Sequence, residues 1–522
     1  MRHSTSLSRR RFLQYSAASA GIALAGPSLW SSVYAGTGFV PDVELQLTAV
    51  QTSVSLFSGK KTNVLSYQGK LLKGPASTLQ TLPGSYLGPV IRVRPGQKIR
   101  VHFLNRLAEE SIIHWHGLHI PEKMDGHPQY AVNPGKRYVY EFEVANRAGT
   151  YWFHPHPHEK TGRQVYGGLA GLFLVSDAEE QALQLPAGNY DIPLVIQDRR
   201  FSRTNQLVYL THMMDRMMGF KGDTILINGK PDFVLPVETR PYRLRLLNGS
   251  NSRIYKLAWS DNSPFTVIGS DGGLLERPVT RKTLTLAPAE RVELWVDFSR
   301  SKTGTEILLN ALPFDDGSPM GRMGMMGGMM GGMMGSRRSV QDKGFTILKA
   351  RVVKKTSHNQ QLPTTLAKIG KPDTTAAVNA ASPRRFDLTM AHMQWGINHR
   401  TFSMQQVDKS EIVKLGTSEI WEFRNVESMG MMGMRGAMPH PVHVHGLQFR
   451  ILERSNIFRN NAAWNDLKAG YVDEGWKDSF LVMPGEQVKL LLKFEDYKGK
   501  YLYHCHNLEH EDMGMMRNYL VR

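Results

Sequence analysis

The stretch Tyr501–Met515, reading Tyr-Leu-Tyr-His-Cys-His-Asn-Leu-Glu-His-Glu-Asp-Met-Gly-Met, constrains this chain more than any other. It holds the only cysteine among 522 residues, set between His504 and His506 and followed by His510 and Met515. A strand over Tyr501–His506 sends successive side chains to opposite faces. His504 and His506 then point one way and Cys505 the other, so one short strand can serve two sites back to back. Cys505, His510 and Met515 together offer a thiolate, an imidazole and a thioether, most of the donor set of a blue-copper site. A lone cysteine is more often simply packed in a core. Here the rest of the chain carries the imidazoles that packing alone does not require.

Three further clusters supply them: His114-Trp115-His116, His154-Pro155-His156 and His440-Pro-Val-His443-Val-His445. In each His-x-His pair a strand places both rings on one face, close enough to serve neighbouring ions. A single such pair is a common coincidence. Ten histidines in four clusters beside one cysteine are not, and no zinc-ribbon spacing competes with copper as their reading.

Around these motifs the texture is that of strands. Residues 44–178 contain short alternating runs such as Val90-Ile-Arg-Val-Arg and Lys98-Ile-Arg-Val-His-Phe, punctuated by Pro95-Gly96 and Pro134-Gly135. Residues 185–353 repeat that texture, with Tyr242-Arg-Leu-Arg-Leu-Leu and Arg291-Val-Glu-Leu-Trp-Val-Asp. Residues 354–385 are polar with little periodicity and read as a linker. A third strand-rich block spans 386–522. The expected architecture is all-β, three Greek-key sandwiches in a row.

Residues 1–35 read as an export signal. Arg9-Arg10-Arg11-Phe12-Leu13 is followed by an apolar Ala/Gly-rich run and ends at Val33-Tyr34-Ala35. The paired arginines point to the twin-arginine machinery, and the apolar run is too short and interrupted to anchor the protein in a membrane. The expected location is therefore the periplasm. With one cysteine, no internal disulfide is available and stability must come from large cores. The formal charge of +18 falls in no basic patch with interleaved aromatics. It is read as a solvated surface, with no nucleic-acid partner, and the chain is expected to act as a monomer.

Two segments break the strand texture. Residues 318–338 carry eight methionines, among them Met326 and Met330, spaced mostly by glycine, and the run from Met429 to Met438 carries five more, including Met432, Met434 and Met438. Together they hold half of the 26 methionines. Such a pattern makes a poor core and can be a mere low-complexity loop. Thioethers also favour Cu(I), which makes these runs candidate sites for a copper substrate.

The four histidine motifs, in this order, resemble those of three-domain multicopper oxidases. The likeness covers essentially the whole chain after the signal and is nearest to bacterial periplasmic cuprous oxidases, also called bacterial laccases. Thr161-Gly-Arg-Gln-Val, Ser270-Asp-Gly-Gly-Leu-Leu and Leu508-Glu-His-Glu-Asp add to it. The resemblance implies cupredoxin-like domains and four copper ions: one type 1, one type 2 and two type 3. It implies that His440, Cys505, His510 and axial Met515 hold the type 1 copper, and that His114 and His443 hold the type 2 copper. His116, His154 and His506 fall on one type 3 copper, and His156, His445 and His504 on the other. The reaction implied is one-electron oxidation of a substrate coupled to reduction of O2 to water. Electrons are expected to enter through an exposed edge of His440 or His510, and Asp125 and Glu511 are implied as the proton-handling acids. His119, His127 and His158 fall outside the pattern and are read as supporting or surface residues.

The substrate separates the competing expectations. Cu(I), for copper tolerance, is the first. Phenols and aromatic amines, as in a general laccase, are the second. Copper sequestration without turnover is the third, and a copper-free structural relative the fourth. Met438 matches a substrate-copper position of cuprous oxidases, whereas Gly436 stands where those relatives carry an aspartate; Asp315 or Asp316 could replace that acid.

Overall fold

A computed structural model describes residues 38–316, 344–358, 360–391, 393–425, 438–458 and 461–522. The expected signal at 1–35 and Met326, Met330, Met432 and Met434 lie outside the described residues. Gly38–Arg522 forms one compact unit.

The chain is all-β, with six sheets that pair around three cores. Alternation explains the first. Val43, Leu45, Leu47 and Ala49 on strand Val43–Val54, and Ile99, Val101 and Phe103 on Lys98–Asn105, are fully buried while their neighbours are not. A strand with this period has one apolar face and must cover it with a second sheet. The cover is a five-stranded sheet that includes Ile113–His116 and Gly149–Pro155, from which Trp115, Tyr151 and Phe153 enter the shared core. Val43–Val54 and Lys98–Asn105 pair in parallel, which requires the chain to cross over between them.

A seven-stranded and a five-stranded sheet enclose the second core, built on Leu244, Leu246, Val267, Leu284 and Leu294. The third core lies between two five-stranded sheets and holds Trp421, Phe423, Val442, Phe480 and Tyr503. The segment read as a linker is not free of packing: Leu366 and Ala367 are buried against Leu185, Ile268, Leu274 and Trp295.

A few of the 64 basic residues lie inside the fold. Arg199, Arg245, Arg253 and Arg291 are among the largest fully buried side chains, and Lys477 is buried as well. Arg245 pairs with Asp191 at 2.6 Å and Glu293 at 2.8 Å, and Arg243 with Glu293 and Glu180. Burial of a charge is tolerable only with such partners. Among the described residues no helix is long and apolar enough to cross a membrane.

Candidate metal centres

Strand register builds the sites. His114 lies opposite His154 in the antiparallel pair of Ile113–His116 and Gly149–Pro155, and His443 lies opposite His504 in the pair of His440–Val444 and Gly499–Cys505. Directly opposed side chains sit about 5 Å apart at Cβ, so pairing alone brings the rings together. His504 and His506 turn toward this cluster, and Cys505 turns to the other side of its strand.

On the Cys505 side, Sγ lies 3.4 Å from His440 Nδ1 and 3.7 Å from His510 Nδ1, and the two Nδ1 atoms are 3.3 Å apart. The short helix Leu508–Asp512, entered at Asn507, turns the chain back so that His510 reaches the cysteine five residues earlier. Met515 is fully buried beside them, its carbonyl accepting from Cys505 N–H at 3.0 Å. Burial pushes the Cys505 thiol up and pulls His440 down to about 3. His510 also falls well below the usual range, through burial first and then the charge of His440. Two neutral imidazole nitrogens and the sulfur thus lie within 3.7 Å of one another, the convergence a His2Cys copper site requires.

Neither edge expected to admit electrons is open: His440 is 1% and His510 0% exposed. The cause is tertiary. Helix Met213–Met218 lays the Met217 carbonyl against His510, whose Nε2–H donates to it at 3.0 Å. Trp395 donates its indole N–H to the same carbonyl at 2.9 Å and stacks on the His510 ring at 4.6 Å between centroids.

The opposite side of the strand holds eight histidines, all essentially without solvent exposure. His114 Nδ1–H donates to the Asp125 carbonyl at 2.6 Å and His443 Nδ1–H to the Asp478 carbonyl at 2.7 Å. Both Nε2 atoms are therefore bare, yet they face each other at 3.2 Å. His445 Nδ1–H donates to Asp125 Oδ2 at 2.7 Å, and its Nε2 faces His504 Nε2 at 3.0 Å. His156 Nε2 lies 3.4 Å from His504 Nε2, and His116 Nδ1 lies 3.4 Å from His154 Nε2. His506 completes the group with ring centroids 5.2 Å from His116 and 5.3 Å from His154, and neither of its nitrogens has a hydrogen-bond partner.

Lone pairs facing at about 3 Å repel unless a cation lies between them. A proton is a poor candidate, because burial pulls His114, His116, His443, His445 and His506 well below the usual range, His154 to about 3 and His156 to about 4. The donor geometry fits metal ions, with His114, His443 and His445 each fixed by an acceptor on the outer nitrogen.

Two carboxylates flank the cluster. Asp125 is fully buried with Oδ1 unpartnered, and burial, then the charge of Glu122, raises its carboxyl. Glu511 stands 3.0 Å from His504 Nδ1 and 3.5 Å from His156 Nε2. Burial pushes Glu511 up, but the charges of His156 and His504 outweigh it and leave it below the usual range. The outlying histidines serve contacts: His127 Nε2 meets Asn518 Oδ1 at 2.9 Å, His119 bonds the Gly446 carbonyl at 2.6 Å, and His158 is partly exposed. Met438 is buried in the third core, its carbonyl accepting from Asn425. Asp316 pairs with Lys221 at 3.9 Å.

Sequence reading missed Met217, Trp395, Arg291 and Asp478. The last left no trace, since Lys477-Asp478 continues the charged stretch begun by Asp473-Glu474 ahead of strand Ser479–Val482.

Cupredoxin-like sheets carrying a buried His2Cys set behind a histidine cluster define a copper-dependent oxidoreductase. The chain belongs to the multicopper oxidase family. Two multicopper oxidase family models match residues 63–180 and 377–522. It is 32% identical to multicopper oxidase mco of Staphylococcus aureus over 470 residues, 90% of this chain and 86% of that one. It is also 32% identical to a laccase of Bacillus stratosphericus, over 85% of this chain and 90% of that one. The crystal structure of McoA multicopper oxidase from Aquifex aeolicus superposes with a TM-score of 0.74 at 34% identity, covering 93% of this chain and 97% of that one.

Proposed function

We propose that the enzyme oxidises Cu(I) to Cu(II) for copper tolerance, in the periplasm after twin-arginine export, and reduces O2 to water. Four Cu(I), one O2 and four protons balance four Cu(II) and two waters. His440, Cys505, His510 and Met515 would hold a type 1 copper, and His114 and His443 a type 2 copper. His116, His154 and His506 would hold one type 3 copper, with His156, His445 and His504 on the other. Bound copper supplies the one-electron steps and the O2 chemistry.

The protein's own part is placement. Cys505 is one peptide bond from His504 and from His506, so a single strand joins the two donor sets covalently. The two sites stay dry, because every one of these side chains is buried. Asp125 fixes His114 through its carbonyl and His445 through its carboxylate, leaving Oδ1 free to carry a proton. Glu511 sits between His156 and His504 on the opposite flank with neither oxygen hydrogen-bonded. Acids in reach of the reacting oxygen are what a four-proton reaction needs.

The closed His510 edge carries the substrate assignment. A bulky phenol cannot stack on an imidazole covered by Met217 and Trp395. A small soft ion can approach through thioethers, and the covering helix presents Met213 and Met214 to solvent at 67% and 43% exposure. Met438 stands two residues before His440, at the end of the Met429–Met438 run. The alternative, a general laccase acting on phenols and aromatic amines, rests on the resemblance to bacterial laccases. The test is steady-state O2 uptake by copper-loaded protein with Cu(I) and a bulky phenol side by side. Preference for Cu(I), lost on Met438→Ala or deletion of 320–334, supports the proposal; phenol turnover indifferent to these changes makes the enzyme a laccase, and copper binding without uptake makes it a store.

A further inference from the structure

We infer that Asp478 and Arg291 form a positioning pair through which the middle sandwich, which supplies none of the eight histidines, sets the aim of the histidine cluster; this rests on the copper reading above. The Asp478 carboxylate accepts from His116 Nε2–H at 3.1 Å, and its main-chain carbonyl accepts from His443 Nδ1–H at 2.7 Å. His116 comes from the first sandwich and His443 from the third. Asp478, joined by the Ser479 hydroxyl that donates to it and lies 3.0 Å from His116 Nε2 and 3.3 Å from His443 Nδ1, therefore fixes the tautomers of two imidazoles from different sheets, leaving His116 Nδ1 to face His154 and His443 Nε2 to face His114.

Arg291 holds this residue in place. Its Nη1 donates to Asp478 Oδ1 at 2.6 Å and its Nη2 to Oδ2, the bidentate fork that a guanidinium makes with a carboxylate. The guanidinium is itself tied down: Nε donates to the Thr150 carbonyl at 2.9 Å, and Nη1 to the Ala289 carbonyl at 3.0 Å. Asp271 accepts from Arg291 N–H at 2.8 Å and pairs with Lys477 Nζ at 3.1 Å. Asp271, Arg291 and Asp478 are wholly buried. At Gly117, with φ of 84°, a Cβ would stand 2.3 Å from Asp478 Oδ2 and 2.9 Å from Arg291 Nη2, so the pair is packed against bare backbone.

The grip also settles what Asp478 is. Its carboxylate oxygens lie close enough to His116 and His443 to share an ion with them. With both oxygens engaged by Arg291, Asp478 orients ligands instead of competing as one. Lys at position 291 keeps the charge but not the fork.

The measurement is copper retained by the full-length protein against graded chelator, with the Cys505 charge-transfer absorption and thermal midpoint recorded alongside. Asp478→Asn should keep the absorption, hold copper in the histidine cluster about 10–100-fold more weakly and alter the type 2 electron paramagnetic resonance signal. Arg291→Lys should shift both in the same direction by less. Wild-type retention and an unchanged type 2 signal in folded Asp478→Asn would overturn the inference. Should that variant not fold, Arg291→Lys decides by the same two readouts. A wild-type protein that binds no copper in the histidine cluster would instead overturn the copper reading beneath it.

Discussion

His510 Nε2–H donates to the Met217 carbonyl at 3.0 Å, so the imidazole that lies against Cys505 is capped by the middle sandwich. The cap is a single helix, Met213–Met218, anchored by its own His212–Asp215 capping box. Replacing it with a Gly-Ser segment of equal length should open the His510 edge. Phenol turnover should rise on the order of tenfold, equivalent to about 1.4 kcal/mol of barrier, while Cu(I) turnover falls. O2 uptake with both substrates reads this directly, and no change in either would show the cap to be irrelevant to electron entry.

The two acids should separate from the thiolate site. Asp125→Asn and Glu511→Gln keep shape but cannot shuttle a proton in the same way. Each should lower O2 uptake by about 100-fold, the lower end of the range for a lost general acid or base. Anaerobic reduction of the Cys505 absorption by Cu(I) should proceed at the wild-type rate. Slowing of that reduction would place these residues in electron entry instead.

Glu293 predicts an acid-dependent stability. Burial pushes its carboxyl up, but Arg243 and Arg245 outweigh burial and hold it below the usual range. A carboxyl depressed in the fold stabilises it above its unfolded value of about 4.3, and that stabilisation is lost as pH falls through the folded value. Glu293→Gln should therefore cost about 3–5 kcal/mol at pH 7, because it leaves buried guanidiniums short of a partner. The difference from wild type should shrink progressively below about pH 4. Denaturant midpoints for both proteins across pH check this; a gap independent of pH would mean packing, not charge, is lost.

Much of this was legible in the chain. Period-two alternation such as Val43-x-Leu45-x-Leu47 encodes an apolar strand face locally, so the all-β class follows from short windows. His504-Cys505-His506 likewise carries its own geometry, because alternation on one strand needs no knowledge of the rest. What escaped depends on partners far apart in sequence. The cover over His510 comes from Met217 and Trp395, almost 300 and 115 residues away, and forms only when two sandwiches meet. The burial of Arg245 and Arg291 was hidden, since a lone arginine in a strand shows nothing of the carboxylates that neutralise it in the core. The aim of His116 and His443 was hidden for the same reason: Asp478 reaches them only in the assembled fold.

The most direct test of the whole account is the copper content of loaded wild-type protein against Cys505→Ser, with optical and electron paramagnetic resonance spectra of each. The account predicts four coppers in the wild type and three in the variant. It also predicts that the charge-transfer band vanishes with the sulfur while the histidine-cluster signals persist. Loss of all copper in the variant, or a wild type with copper only beside Cys505, would contradict two separate donor sets joined by one strand.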